Sequence, residues 1–167
     1  MKTVHVGLLI WLIHQNTVKK SWPRLRENSH PIFYVVVCNS LYYYIQKKYP
    51  LWTFHSQVMG EFFLKFFHLL IIMPLSMNRF LSELPDRSSK RALYILKWIL
   101  VSSLVEWFGL KAGAISFKKG WNLAWSAFIY TFMYILSSIY QRSRFLAISM
   151  SMLPAAFLIF KFRKNKK

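Results

Sequence analysis

Cysteine, glycine and acidic residues are all scarce in this chain of 167 residues. The one Cys, Cys38, cannot form an intramolecular bridge, and five Gly exclude a collagen-like repeat. Asp and Glu number five against 23 Lys and Arg, which leaves a formal charge of +18. No Ser-, Gly- or Gln-rich tract is present and 55% of the residues are apolar, so a disordered chain is excluded. The usual signatures of soluble catalysis are also missing: there is no HExxH, no Cys pair spaced for zinc, no GxSxG and no Gly-rich loop ending in Lys-Ser/Thr. No metal and no cofactor are therefore expected, and a non-enzymatic protein is favoured.

What is present is a set of clustered charges separated by six apolar intervals. Residues 3–18, 31–46, 121–141 and 145–160 carry no formal charge; residues 58–78 contain Glu61, Lys65 and His68, and residues 92–110 contain Lys97 and Glu106. A bilayer core of about 30 Å needs roughly 20 helical residues. The fifth interval meets that length directly, the third and fourth meet it while carrying charges, and the others need snorkelling Lys, Arg and Tyr side chains at their ends. A soluble bundle would show a polar face on each helix. Between Phe145 and Phe160 only Ser149 and Ser151 are polar, so no such face exists there. Apolar and polar residues do not alternate in ten-residue units, which argues against a barrel. The expectation is an all-α integral membrane helical bundle of five to six transmembrane helices, forming a single domain over residues 1–167. No small-x-small cleavage site follows Val6 to Ile13, so the first interval reads as an uncleaved, short helix.

Short loops make neighbouring helices antiparallel. Lys and Arg in the first, third and fifth loops number ten, against eleven on the other side with its basic tail, so the positive-inside rule is almost balanced. The internal loops favour both termini outside. Because the cations occupy every loop and not one stripe, the expected polyanion is the phospholipid bilayer, anionic lipids included, and not nucleic acid. A membrane-protein partner or a second copy of the chain is the other expected contact.

Ionisable groups inside spans are the natural candidates for function. Glu61, Lys65 and His68 fall on one helix face, where they form either a proton or cation relay or a surface ion pair beside a satisfied histidine. Lys97 and Glu106 point to opposite faces; Lys97 can snorkel, while Glu106 meets either the interface or the bundle interior. Asn122, Ser126, Tyr130, Tyr134, Ser137 and Gln141 form a polar stripe that lines a cavity or makes interhelical hydrogen bonds. The candidate polar cluster is thus Glu61, Lys65, His68, Glu106, Asn122 and Ser126. Trp52, Trp107, Trp121 and Trp125 read as interfacial anchors. Gly109 and Gly113 make a small-xxx-small pair interrupted by Lys111.

Several strings point to a resemblance. They are Tyr49-Pro50-Leu51-Trp52 with Phe54, Pro74, the segment Trp98 to Ile115 with Glu106-Trp107-Phe108-Gly109-Leu110-Lys111, and Gly120-Trp121-Asn122-Leu123-Ala124-Trp125-Ser126. In these the chain resembles a family of small, uncharacterised multi-pass membrane proteins of Bacillus-type spore-forming bacteria. It departs from them in its short first helix and basic tail. The resemblance implies five to six helices in a bacterial plasma membrane and no reaction. The leading functional expectation is an envelope scaffold or partner-binding subunit; the alternatives are a small proton- or ion-linked carrier and an intramembrane enzyme acting on lipid.

Overall fold

The computed structural model describes residues 4–45, 47, 50–57 and 59–163. The expected limits at Thr3, Gln46 and Val58, together with Tyr49 and the tail beyond residue 163, lie outside them. The protein is mostly helical, at 76%. Its helices are α1 (Val4–Val18), α2 (Ser29–Ile45), α3 (Glu61–Ser82), α4 (Ser88–Lys111), α5 (Leu123–Tyr140) and α6 (Arg144–Arg163). Of these, α3, α4 and α5 are long and apolar enough to cross a membrane. At about 1.5 Å per residue, the 15 residues of α1 reach only about 22 Å, as the short first interval suggested.

The helices sort by what they must bury. α3 packs against α1 and α2, α5 packs against α2, α4 and α6, and the main core lies between them. That core joins Ile32 and Val35 of α2, Met77, Phe80 and Leu81 of α3, Ile95 and Trp98 of α4, and Tyr134 of α5. Outward faces remain strongly apolar: Phe62, Leu93, Phe145 and Leu153 are all exposed. Only 17% of the apolar window of α4 is buried, an arrangement that water would oppose over so much hydrocarbon surface.

Inside α3 the backbone widens to a π-turn over His68–Ile72, with the Met73 N–H reaching the His68 carbonyl. Pro74 explains it. Proline has no N–H to offer the carbonyl four residues back and its ring crowds that carbonyl, so the preceding turn opens to five-residue spacing.

Two stretches expected as plain loops instead pair as a ribbon. β1 (Trp52–Phe54) runs antiparallel to β2 (Ile115–Phe117), with Thr53 opposite Ser116. The ladder is extended by His55 N–H to Ala114 O at 2.8 Å and Lys118 N–H to Leu51 O at 2.7 Å. Both ends of β2 are set by tight backbone geometry. After α4, Gly113 takes φ +68°, its N–H bonds the Leu110 carbonyl, and the Ala114 N–H bonds Gly109 O at 2.8 Å, the paired bonds of a Schellman cap. After β2, Lys119 and Gly120 both have positive φ and the Trp121 N–H closes onto Lys118 O, a type I′ reversal. Gly109 is where the strand comes closest: a Cβ there would meet Ile115 Cδ1 at 2.9 Å. The Gly109–Gly113 pair therefore serves the chain's own ribbon.

At the opposite end, three asparagines tie the loops together. The Asn78 amide donates to Asn16 Oδ1 and to the Ser21 carbonyl, both at 3.0 Å, and its Oδ1 accepts from Asn28 at 3.0 Å. Asn28 also donates to Ser82 Oγ, and Arg24 bonds the Ser82 carbonyl. Asn78, Arg79 and Ser82 all turn inward. This is why α3 runs to Ser82 past the expected limit at Asn78: polar residues continue the helix when their partners lie inside.

Candidate functional site

Two rows of side chains at four-residue spacing face each other across α4 and α5. Ser102 and Glu106 are i and i+4 on α4; Ser126, Tyr130 and Tyr134 are i, i+4 and i+8 on α5. The helices are antiparallel, so the rows meet in register. Ser126 Oγ–H donates to Glu106 Oε1 at 2.9 Å and Tyr130 O–H donates to Glu106 Oε2 at 3.1 Å. One step away, the Ser102 and Tyr134 hydroxyls are 2.6 Å apart. Glu106 is only 8% exposed. Leaving a carboxylate without donors in such surroundings costs several kcal/mol, and the two hydroxyls supply what the apolar wall cannot.

These groups border a cavity of about 200 Å³ between α3, α4 and α5. Its wall is aromatic, with Tyr43, Trp98, Trp121, Tyr130 and Tyr134 among its residues, and it also includes His68. The β-ribbon forms one side: Phe54 stacks on the His68 ring at 4.3 Å and 13°. His5 Nε2–H donates to the His55 carbonyl at 3.1 Å, which leaves Nδ1 of a neutral His5 to accept from His68 Nε2–H at 2.9 Å.

Not every expected member joins. Ser126, Glu106 and His68 line the cavity. Glu61 and Lys65 pair with each other at 2.7 Å on the outer face of α3, the surface ion pair and not the relay. Asn122 is the N-cap of α5: its Oδ1 accepts the Trp125 N–H at 3.2 Å, so it satisfies a helix end instead of reaching the cavity. Lys97 is exposed, about 180° around α4 from Glu106, nine residues on.

The tryptophans need one correction. Trp121, expected as an interfacial anchor, is buried at 4% and its Nε1–H donates to Ser126 Oγ at 3.0 Å. The type I′ reversal before it turns the indole inward. Trp52 stacks on Tyr42 at 4.5 Å beneath the ribbon. Trp107 is half-exposed beside Phe108, and Trp125 lies under the Lys161 ammonium, 3.8 Å from its centroid.

Sequence reasoning missed His5 and Ser102. Ser102 carried a usable signal, its spacing of four from Glu106; His5 carried none, because its contacts come from α3 and the chain after β1. It also missed the contact between His55 Nε2 and Ser116 Oγ at 2.6 Å, with Thr53 Oγ1 beside both. Those three pin the ribbon, and no carboxylate joins them among the described residues. Comparison with known proteins finds no match: no protein family, no curated protein and no solved structure is similar to this chain.

Proposed function

We propose that the protein is a six-helix, multi-pass component of a bacterial cell membrane that acts by binding and not by catalysis. The apolar outward faces and the three helices long enough to span support membrane residence. One observation carries the binding reading: Glu106 lies in an aromatic cavity, held by two hydroxyl donors, with acceptor capacity left over. The protein is then a binding subunit of the envelope, embedded among anionic lipids and associated with a membrane-protein partner or a second copy.

Catalysis on lipid has weaker support. A serine nucleophile needs a free lone pair and access to substrate. Ser126 keeps one lone pair while accepting from Trp121, but at 4% exposure it offers a lipid substrate little approach, and its neighbour Glu106 is held by two donors and not by a base-orienting partner. A small proton- or ion-linked carrier remains the second reading, favoured by His68 and Glu106 lining one cavity.

Two measurements test the proposal. In a Cys38→Ser background, single cysteines replacing Ser89, Lys118 and Arg142 are treated in intact cells with a membrane-impermeant maleimide. Termini-out topology predicts labelling at residue 118 alone, and equal labelling at all three overturns the six-span reading. Native mass spectrometry of protein released from its own membranes is expected to show a bound small molecule that Glu106→Gln lacks. A bare mass in both overturns the binding reading.

A further inference from the structure

The chemical class of ligand follows from where negative charge is left uncovered. Three of the five acids pair with cations: Glu61 with Lys65, Glu83 with Arg79 and Lys19, and Asp86 with Arg91. Glu27 is exposed to solvent. Glu106 is the buried one, and among the described residues no Lys or Arg lines its cavity or forms an ion pair with it. In a chain with 23 Lys and Arg, that is a site from which cations of the protein itself are kept away. The cavity that the carboxylate borders is also lined by Tyr43, Trp98, Tyr130 and Tyr134. Aromatic faces with a desolvated carboxylate form the environment that stabilises an organic ammonium ion.

A second cavity says what the rest of such a ligand looks like. About 300 Å³ of space lies between α2, α5 and α6, walled by Leu41, Phe128, Phe132, Met152 and Ala155. Asn39, Trp52, Ile129 and Met133 line both cavities, so the acidic site and the apolar space adjoin at these side chains. We propose that the two form one site for an amphipathic organic cation, its ammonium head beside Glu106 and its alkyl chain in the space between α2, α5 and α6. This rests on the binding reading above and adds the ligand class.

The probe is radiolabelled octyltrimethylammonium, its retention measured on protein in nanodiscs, with 1-nonanol as neutral competitor. The wild type is expected to retain the cation, Glu106→Gln to bind it at least about tenfold more weakly, and nonanol to compete poorly. Gln keeps an oxygen to accept from one of the Ser126 and Tyr130 hydroxyls while its NH2 donates to the other, which rotates to accept, so the fold is expected to survive. Met133→Trp, which fills the junction of the two cavities and leaves Glu106 unchanged, should also lose the probe and keeps the test open if the Gln variant fails to fold. Undiminished retention in either folded variant overturns the proposal. Glu106-dependent binding of nonanol in place of the cation overturns the ligand class alone, whereas the binding reading itself stands or falls on the native mass spectrum.

Discussion

The two ends of the bundle each bury one charged side chain and treat it differently. Near the asparagine cluster, Arg79 is 6% exposed and its Nη2 meets the Glu83 carboxylate at 2.5 Å, while its Nε and Nη1 find no hydrogen-bond partner among the described residues. Toward the ribbon, Glu106 is buried to a similar degree but has only neutral hydroxyls and borders open space. A charge met by an opposite charge one turn along its own helix is neutralised within the fold. A charged group with spare capacity beside a cavity is arranged to meet something else. The comparison sets a charge neutralised within the fold against one left uncovered, in a chain where both lie among apolar side chains.

The largest effect is expected from Asn78→Leu, which removes the hub of the asparagine cluster and strands the groups of Asn16, Asn28 and Ser21. A loss of about 3 kcal/mol or more should appear as a collapse in steady-state abundance and in the unfolding midpoint in detergent. Wild-type abundance would show that the cluster does not hold the loops. Next comes Glu106, through a pair of variants. Glu106→Ala leaves two hydroxyls without their acceptor and should cost about 1–3 kcal/mol, whereas Glu106→Gln should hold near wild-type stability while losing ligand. If both variants are equally unstable, Glu106 is a structural residue like Asn78 and the contrast between the two ends disappears.

Smaller effects probe the ribbon. Gly113→Ala forces a side chain into φ +68° at the end of α4 and should cost about 1 kcal/mol, measured by thermal unfolding, with faster hydrogen exchange at the β2 amides. The smallest change belongs to Lys65→Gln. Its pair with Glu61 is exposed, so stability should shift by less than about 0.5 kcal/mol. A larger loss would return these residues to the candidate site.

Much of this was legible in the residue pattern, for definable reasons. Helices were visible because charges mark their ends, and the Glu106–Ser126 pairing was half visible because Ser126, Tyr130 and Tyr134 recur every four residues on one face. Asn122 and Trp121 were misplaced together. The residue pattern places Asn122 on a helical stripe and Trp121 at an interface, but the positive φ values at Lys119 and Gly120 turn the chain just before the helix, making Asn122 a cap and sending Trp121 inward. Asn16, Asn28 and Asn78 stood at the edges of apolar runs, where asparagine is ordinary. Their convergence depends on α1, α3 and the segment between α1 and α2 meeting, which no local pattern encodes. The same holds for β1 and β2, each three residues long and far apart in the chain.

That ribbon has a bearing on biogenesis. Its two strands flank the whole α3–α4 pair, so residues 52–54 leave the ribosome long before their partners and wait unpaired while both intervening helices are made and inserted. Contacts of such separation form late. The cavity beside Glu106 therefore gains its cover only when synthesis has passed Phe117, and a chain interrupted earlier holds the acid without the wall that encloses it. The ligand binding proposed above would thus be reserved for chains extended past Phe117.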